Sequence, residues 1–243
     1  MNEIIKALYE RKSVRVFTEE EITAEEKEQI LNASLQAPSA GCQLLYTILD
    51  ITDQRKKETL AELCDHQPFI AKAKMVLIFC ADCRKWLSFY REAGLEPRKP
   101  GPGDLFLAVE DAVIAAQNGV TAAESLGIGS CYIGDVMERA EEMKELLSLP
   151  AYVYPACMLV FGRPVSQQKE REKPERFALS DMVCENAYQD KDSESIRAMF
   201  SGKTGNRDYE SWMEAFWNRK YESEFSVEMN RSMEVYLKDF RKE

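Results

Sequence analysis

The feature that most restricts the fold is a long stripe of small residues between Leu105 and Leu126. Ala108, Ala112, Ala115, Ala116, Gly119, Ala122 and Ala123 recur at helical spacing over several turns. Side chains this small let neighbouring backbones come close, so the spacing predicts a helix buried inside the molecule. Gly127 supplies the residue that stops it. A buried helix needs layers to pack against. Four runs offer a sheet: Tyr46–Ile51, Lys74–Ala81, a short Ser130–Ile133 entering Gly134, and Tyr154–Phe161, whose unbroken apolar character marks a central strand. Between them the patterns predict helices over Glu3–Glu10, from the capping box Thr23-Ala-Glu-Glu26 to about Ala37, over Asp53–Leu63 and over Arg139–Leu147.

The 243 residues suit one α+β domain, with a core over 1–165 and an extension over 166–243. After Gly162-Arg-Pro164 the texture changes. Residues 166–210 are polar and rich in charge. Helices return at about Tyr209–Lys220 and Val227–Lys242, carrying Trp212, Phe216, Trp217, Tyr236 and Phe240. A polar excursion that closes on aromatic helices predicts a tail packed against its own body or a partner subunit.

Composition excludes several functions. With 32 basic and 42 acidic residues the net charge is −10, and such a chain is a poor fit to a phosphate backbone, so no nucleic-acid partner is expected. The longest uncharged run, Gln29–Leu49, contains Pro38 and several polar residues, and Leu146–Gly162 is broken by Pro150 and Pro155. Neither predicts a membrane span. The start, Met-Asn-Glu-Ile-Ile-Lys, lacks the layout of a signal peptide, so a cytoplasmic location is expected. His66 is the only histidine, which rules out poly-histidine metal sites. Seven cysteines cannot all pair, and most sit among apolar neighbours. Cys80-Ala-Asp-Cys83 has the spacing of a redox pair or half a zinc site; without a second such motif it reads as two packing cysteines at a strand end.

Three segments have the chemistry to hold an anionic cofactor. Arg11-Lys12-Ser13-Val14-Arg15 packs three cations and a hydroxyl into five residues, and arginine's fork of donors suits phosphate. Pro38-Ser39-Ala40-Gly41-Cys42-Gln43 is a small-residue loop that lets a ligand approach backbone N–H groups. Gly127-Ile-Gly129-Ser-Cys-Tyr-Ile-Gly134 is glycine-rich, yet it ends a helix instead of opening one, which argues against a dinucleotide fingerprint. Each segment alone also fits a solvated turn, as does the charged run Lys169-Glu-Arg-Glu-Lys-Pro-Glu-Arg176. No nucleophile elbow, phosphate-binding P-loop or zincin motif appears.

Taken in order, these segments resemble the FMN-dependent nitroreductases. Arg-Lys-Ser-Val-Arg-Val-Phe17 after the first helix looks like that family's first signature, and Ala37-Pro-Ser-Ala-Gly41 resembles its second. Ala122-Ala-Glu-Ser-Leu-Gly-Ile-Gly129 with Tyr132-Ile-Gly134 resembles its third, and Phe161-Gly-Arg-Pro164 ends the matching strand. The tail is most similar to the oxygen-insensitive NADPH nitroreductase and flavin reductase branch. The resemblance implies a three-layer sandwich, its central, mostly antiparallel sheet flanked by helices. It also implies an intertwined homodimer with a C-terminal extension and FMN at the interface. By position, Arg11, Lys12, Ser13 and Arg15 would grip the FMN phosphate, ribityl chain and ring edge. Ser39 would sit on the flavin or phosphate, Gln67 on the ring's polar edge, and Tyr132, Ile133 and Gly134 near N5. Lys173 and Arg176 would reach the phosphate, and Arg207 would read NADPH. The implied reaction is ping-pong: NADPH or NADH passes hydride to flavin N5, and a nitroaromatic, quinone or free flavin then takes the electrons. No side chain needs to act as acid or base.

The sequence departs from the family where Cys42 and Leu44 stand in place of the usual asparagine and glutamine of the second signature, and where Lys12 replaces an arginine. Two other readings remain: a dedicated reductase of the same fold, serving reductive dehalogenation or flavin supply, and a non-catalytic flavin-binding protein. A cysteine-redox protein using Cys80 and Cys83 is a more distant one.

Overall fold

A computed structural model describes residues 1–241. Within it the chain divides into two compact units, one formed by Met1–Arg171 with the chain from Glu228 onward, the other by Glu172–Val227. In the first unit, local sequence chemistry starts the first three helices. The Asn2 side chain accepts from the Ile5 N–H and opens α1 (Glu3–Glu10). The Thr23/Glu26 capping box opens α2 (Ala24–Leu35) with reciprocal bonds of 3.2 and 2.9 Å. β1 (Tyr46–Asp50) follows, then α3 (Gln54–Leu63), capped by the Asp53 carboxylate. Next come α4 (Phe69–Lys72), β2 (Met75–Asp82), α5 (Arg84–Glu92), α6 (Pro102–Ser125), β3 (Gly129–Ile133), α7 (Ala140–Leu147), β4 (Val153–Gly162) and α8 (Ser166–Glu170). No side-chain pattern had marked α4, α5 or α8 in the sequence.

The strands form one antiparallel sheet in the order β1-β2-β4-β3. β2 and β4 are buried along their whole length. Proline in a central strand removes a ladder donor, and here Pro155 sits where the register shifts opposite Phe79 and Cys80, at a bulge. Strand alternation splits the core. Leu77, Phe79 and Ala81 face a layer built on α6, whose Ala108, Ala112, Ala115, Ala116 and Ala123 have no exposed surface; Val76, Ile78 and Cys80 face a second layer with Leu60, Ile70 and Met143. Cys80 and Cys83 belong to opposite layers, and burial pushes both thiols up to about 12, so they are packing groups.

The chain from Glu228 returns to this body. The helix α12 spans Glu224–Leu237; its Tyr236, and Phe240 in the 3-10 turn Lys238–Phe240 that follows, enter the α6 layer edge-on to Tyr154 and Tyr152. Of the expected final helix, Lys242 lies outside the described residues. The other unit holds α9 (Leu179–Met182), α10 (Ser193–Phe200) and α11 (Tyr209–Lys220). Phe177, Phe200, Tyr209, Trp212 and Phe216 form a chain of ring contacts there, although no residue of these helices is fully buried.

Arg11–Phe17 lies extended along the open side of β3. Val14 N–H donates to Ser130 O at 2.9 Å, and Phe17 bridges Pro164. Two glycines allow this approach. A Cβ on Gly129 would stand 2.5 Å from Val14 Cγ2, and one on Gly162 would stand 2.6 Å from the Phe17 ring. Arg163 fixes the junction by pairing with Glu26 at 2.6 Å and donating to Leu126 O. Gly129→Ala should therefore destabilise the protein by about 1–3 kcal/mol. Adding Val14→Ala should recover only part of that, since Val14 Cβ itself lies 2.9 Å from the new methyl. Equilibrium denaturation of both variants tests the contact, and a neutral Gly129→Ala would refute it.

Candidate functional site

Basic residues gather at the end of α1 and along the extended segment. Arg11 closes α1, and its buried Nε has no hydrogen-bond partner. Lys12 Nζ donates to the carbonyls of Lys169, at 2.6 Å, and Arg171. Arg171 in turn donates from Nη2 to Ser13 O at 2.8 Å. The Arg15 guanidinium lies over the Phe69 ring, and the Arg15 backbone N–H donates to Gln168 Oε1 at 3.3 Å. Burial pushes the Cys131 thiol up, against an opposing pull from Arg15, Ser13 and Arg11. Among the described residues, Arg11, Lys12, Arg15 and Arg171 make no ion pair with a carboxylate. In a chain of charge −10, cations without a carboxylate partner beside a buried donor that lacks an acceptor have the chemistry to hold an anion.

Next to this cluster is a turn held in unusual backbone geometry. Asp65 and His66 both have positive φ, 58° and 50°, which costs free energy in residues other than glycine. The turn presents Gln67, whose Nε2 donates to Cys64 O at 2.8 Å and to Asp135 Oδ1 at 3.0 Å. Gly134 opens the 3-10 turn that carries Asp135. Tyr132 and Ile133 are neighbours on a strand and so point opposite ways. Tyr132 packs on the α6 layer and donates to Gln117 at 3.3 Å, while Ile133 is buried in the other layer. Ile133 can thus offer a ligand only its backbone.

Behind Asp135 lies Glu138, 5% exposed, with Oε1 unpartnered. Burial, reinforced by the negative charges of Asp135, Asp65 and Glu228 and opposed by Arg139, raises its carboxyl to about 7. Asp65, Asp135 and Glu138 were not singled out in the sequence, where they are indistinguishable from the general acidity.

Ser39 lies on the other side of the sheet. Its Oγ donates to Asp111 Oδ2 at 2.6 Å and accepts from Leu44 N–H at 2.7 Å. Asp111, buried on α6, also accepts from the N–H groups of Ala40 and Leu45 at 3.0 Å each. The loop is further held by Trp86 donating to Gln43 O and Lys85 donating to Leu44 O and Tyr46 O. A cavity of about 530 Å3 adjoins it, lined by Gln43, Trp86, Tyr90, Pro97 and Leu107 among others. Lys173, Arg176 and Arg207 belong to the second unit. There Arg176 donates to Pro174 O, and the exposed Arg207 makes no ion pair among the described residues.

Comparison with known proteins decides the family. The profile of the Nitroreductase family matches residues 8–163. The chain belongs to the nitroreductase family. An FMN reductase [NAD(P)H] of Bacillus subtilis is 31% identical over 91% of this chain and 93% of its own length. An oxygen-insensitive NADPH nitroreductase of Salmonella typhimurium is 34% identical over 81% and 79%. The crystal structure of NADPH:FMN oxidoreductase from Vibrio harveyi complexed with NAD+ superposes with a TM-score of 0.79 at 26% identity, covering 97% of this chain and 98% of that one.

In this nitroreductase the α+β fold expected from the sequence is present, and the first and third signatures prove to support one another. Gly129 of the third, with Gly162 at the end of β4, makes room for the basic segment of the first. The expected cofactor residues fall into separate groups: Arg11, Ser13, Arg15, Gln67 and Gly134 around one layer, Ser39 on the other. Arg171, hidden in a run of alternating charge, joins the first group, whereas Lys12 is occupied with the 169–171 backbone.

Two measurements follow. Asp111→Ala leaves one buried and two half-buried donors without their acceptor and should cost roughly 3 kcal/mol in chemical denaturation; a loss under ~1 kcal/mol would show that the loop does not depend on it. Between the ordinary carboxyl range and about 7, folded Glu138 holds a proton that the unfolded chain releases, so its contribution makes stability fall as pH rises through that window. Glu138→Gln should raise the melting temperature at pH 8, leave it nearly unchanged at pH 4.5, and flatten the slope between. An unchanged slope would exclude Glu138 as its source.

Proposed function

We propose that this protein is an FMN-dependent oxidoreductase that takes hydride from NAD(P)H and passes electrons to nitro compounds, quinones or free flavins. The observation that carries the reading is the unpaired cationic cluster with its orphaned Arg11 Nε. Those donors suit a phosphate and an electron-rich ring edge, and the family relatives are named as FMN reductases and NADPH nitroreductases. FMN, when bound, supplies a two-electron carrier between donor and acceptor. Arg11, Ser13, Arg15 and Arg171 bind and orient the anionic end, and the fixed positive charge of Arg11 and Arg15 favours the extra negative charge of a reduced ring. Gln67, Ile133 and Gly134 would contact the ring, the last two through backbone. Lys173 and Arg176 would add phosphate contacts and Arg207 would meet the NADPH phosphate.

A homodimer completes the site in this reading. Ser39 and its loop lead into β1, at the sheet edge opposite β3 and the basic segment beside it, so in this reading one chain does not apply both to one ligand. A second copy can. Exposed Phe106, Leu107, Val113 and Ile114 on α6, with Ile4, Ile5 and Leu8 on α1, supply apolar surface that such a copy would cover.

The test is an anaerobic absorption spectrum with FMN, before and after NADPH, and then with a quinone. Flavin bands should bleach with the nucleotide and return with the quinone, and Arg15→Ala should weaken FMN binding about tenfold or more. Wild-type protein that holds no flavin would sink the proposal; flavin that never bleaches with NADPH or NADH would leave a binding protein without turnover.

A further inference from the structure

We propose that Asp135 is a positioning residue that locks the Gln67 amide, leaving its carbonyl oxygen as the only group offered to a ligand. The ring-edge subsite then accepts a hydrogen bond and cannot donate one. The inference rests on the flavin reading above. Gln67 Nε2 carries two hydrogens, and both are committed, one to Cys64 O at 2.8 Å and one to Asp135 Oδ1 at 3.0 Å. A backbone carbonyl cannot donate, and neither can a carboxylate. Turning the amide over would set its oxygen against two acceptors and lose both bonds, so the orientation is forced.

The supporting geometry is rigid on both sides. Gln67 N–H donates to Ala61 O at 2.9 Å, which ties the residue to the end of α3, and the preceding Asp65 and His66 are held at positive φ. Asp135 O accepts from Glu138 N–H at 3.0 Å within its 3-10 turn. Without Asp135, one amide hydrogen loses its partner and the amide is free to rotate about the remaining bond. A flavin's pyrimidine edge presents two carbonyl oxygens and one donor, the N3–H. Only that N3–H can bond to an acceptor, so Gln67 selects for it.

The experiment compares equilibrium binding of FMN and N3-methyl-FMN by flavin fluorescence, in the full chain freed of flavin. Wild type should prefer FMN by about tenfold or more, the loss expected when a buried polar group is left unpaired. Asp135→Leu should shrink that preference about fivefold, by weakening FMN while leaving the methylated analogue unchanged. Asp135→Asn, which keeps a carbonyl acceptor, should restore it. Should Asp135→Leu fail to fold in a thermal melt, Asp135→Ser serves with the same readout. A wild-type preference retained in a folded Asp135→Leu or Asp135→Ser protein overturns the proposal, as does wild type that binds both flavins equally. Wild type that binds neither overturns the flavin reading itself.

Discussion

Both central strands, β2 and β4, are buried on both faces, and this constraint organises everything else. A ligand cannot rest on the middle of such a sheet, because α6 covers one face and α3, α4 and α7 help cover the other. Chemistry is left to the margins: the segment beside β3, the turn after α3, and the loop entering β1. The same period-two geometry that fills the two cores also decides which margin each residue serves. It sends Tyr132 towards α6 and Ile133 away from it.

The basic segment depends on this frame more than on its own sequence. Three cations in five residues repel one another, and an isolated peptide would spread them. Here the Val14 side chain is seated over Gly129 and the Phe17 ring over Gly162, with Lys12 bound to two carbonyls, so the charges are held together before any anion arrives. Preorganisation of this kind places the repulsion within the stability of the fold and spares the binding step. It also reassigns the glycines. Gly129 and Gly162 serve side-chain packing, which is why the glycine-rich stretch lacks the spacing of a dinucleotide loop.

Much of this was legible in the sequence. The small-residue stripe marked α6, the capping box marked α2, and the continuous apolar run marked β4, each because a single dominant pattern had no competitor. α5 was not legible: Trp86, Leu87, Phe89 and Tyr90 cluster among charges, and the acid that accepts from its first N–H groups, Asp82, is itself the last residue of β2. Asp111 escaped notice for a different reason. A lone acid on an apolar helix gains its meaning only when a distant loop brings three donors to it. Positive φ at Asp65 and His66 was equally hidden, since neither residue type advertises that conformation as glycine does. The resemblance grouped Tyr132, Ile133 and Gly134 together, while simple strand alternation already separates the first two.

The loop after α2 owes its shape to partners outside it. Cys42 and Leu44 replace polar residues, yet Gly41, Cys42 and Leu44 all sit at positive φ, 59°, 57° and 47°. Such a backbone persists only where its surroundings over-determine it. Asp111 supplies that determination from one side and Lys85 and Trp86 from the other. Loop conformation is therefore set by partners outside the loop, and the residues at 42 and 44 are free to vary in chemistry without altering its path. What the substitutions change is the hydrogen bonding on offer: a thiol and an aliphatic chain in place of two amides, on a scaffold that does not rearrange to compensate. A ligand placed against this loop would meet that thiol and aliphatic chain on a backbone held from outside the loop.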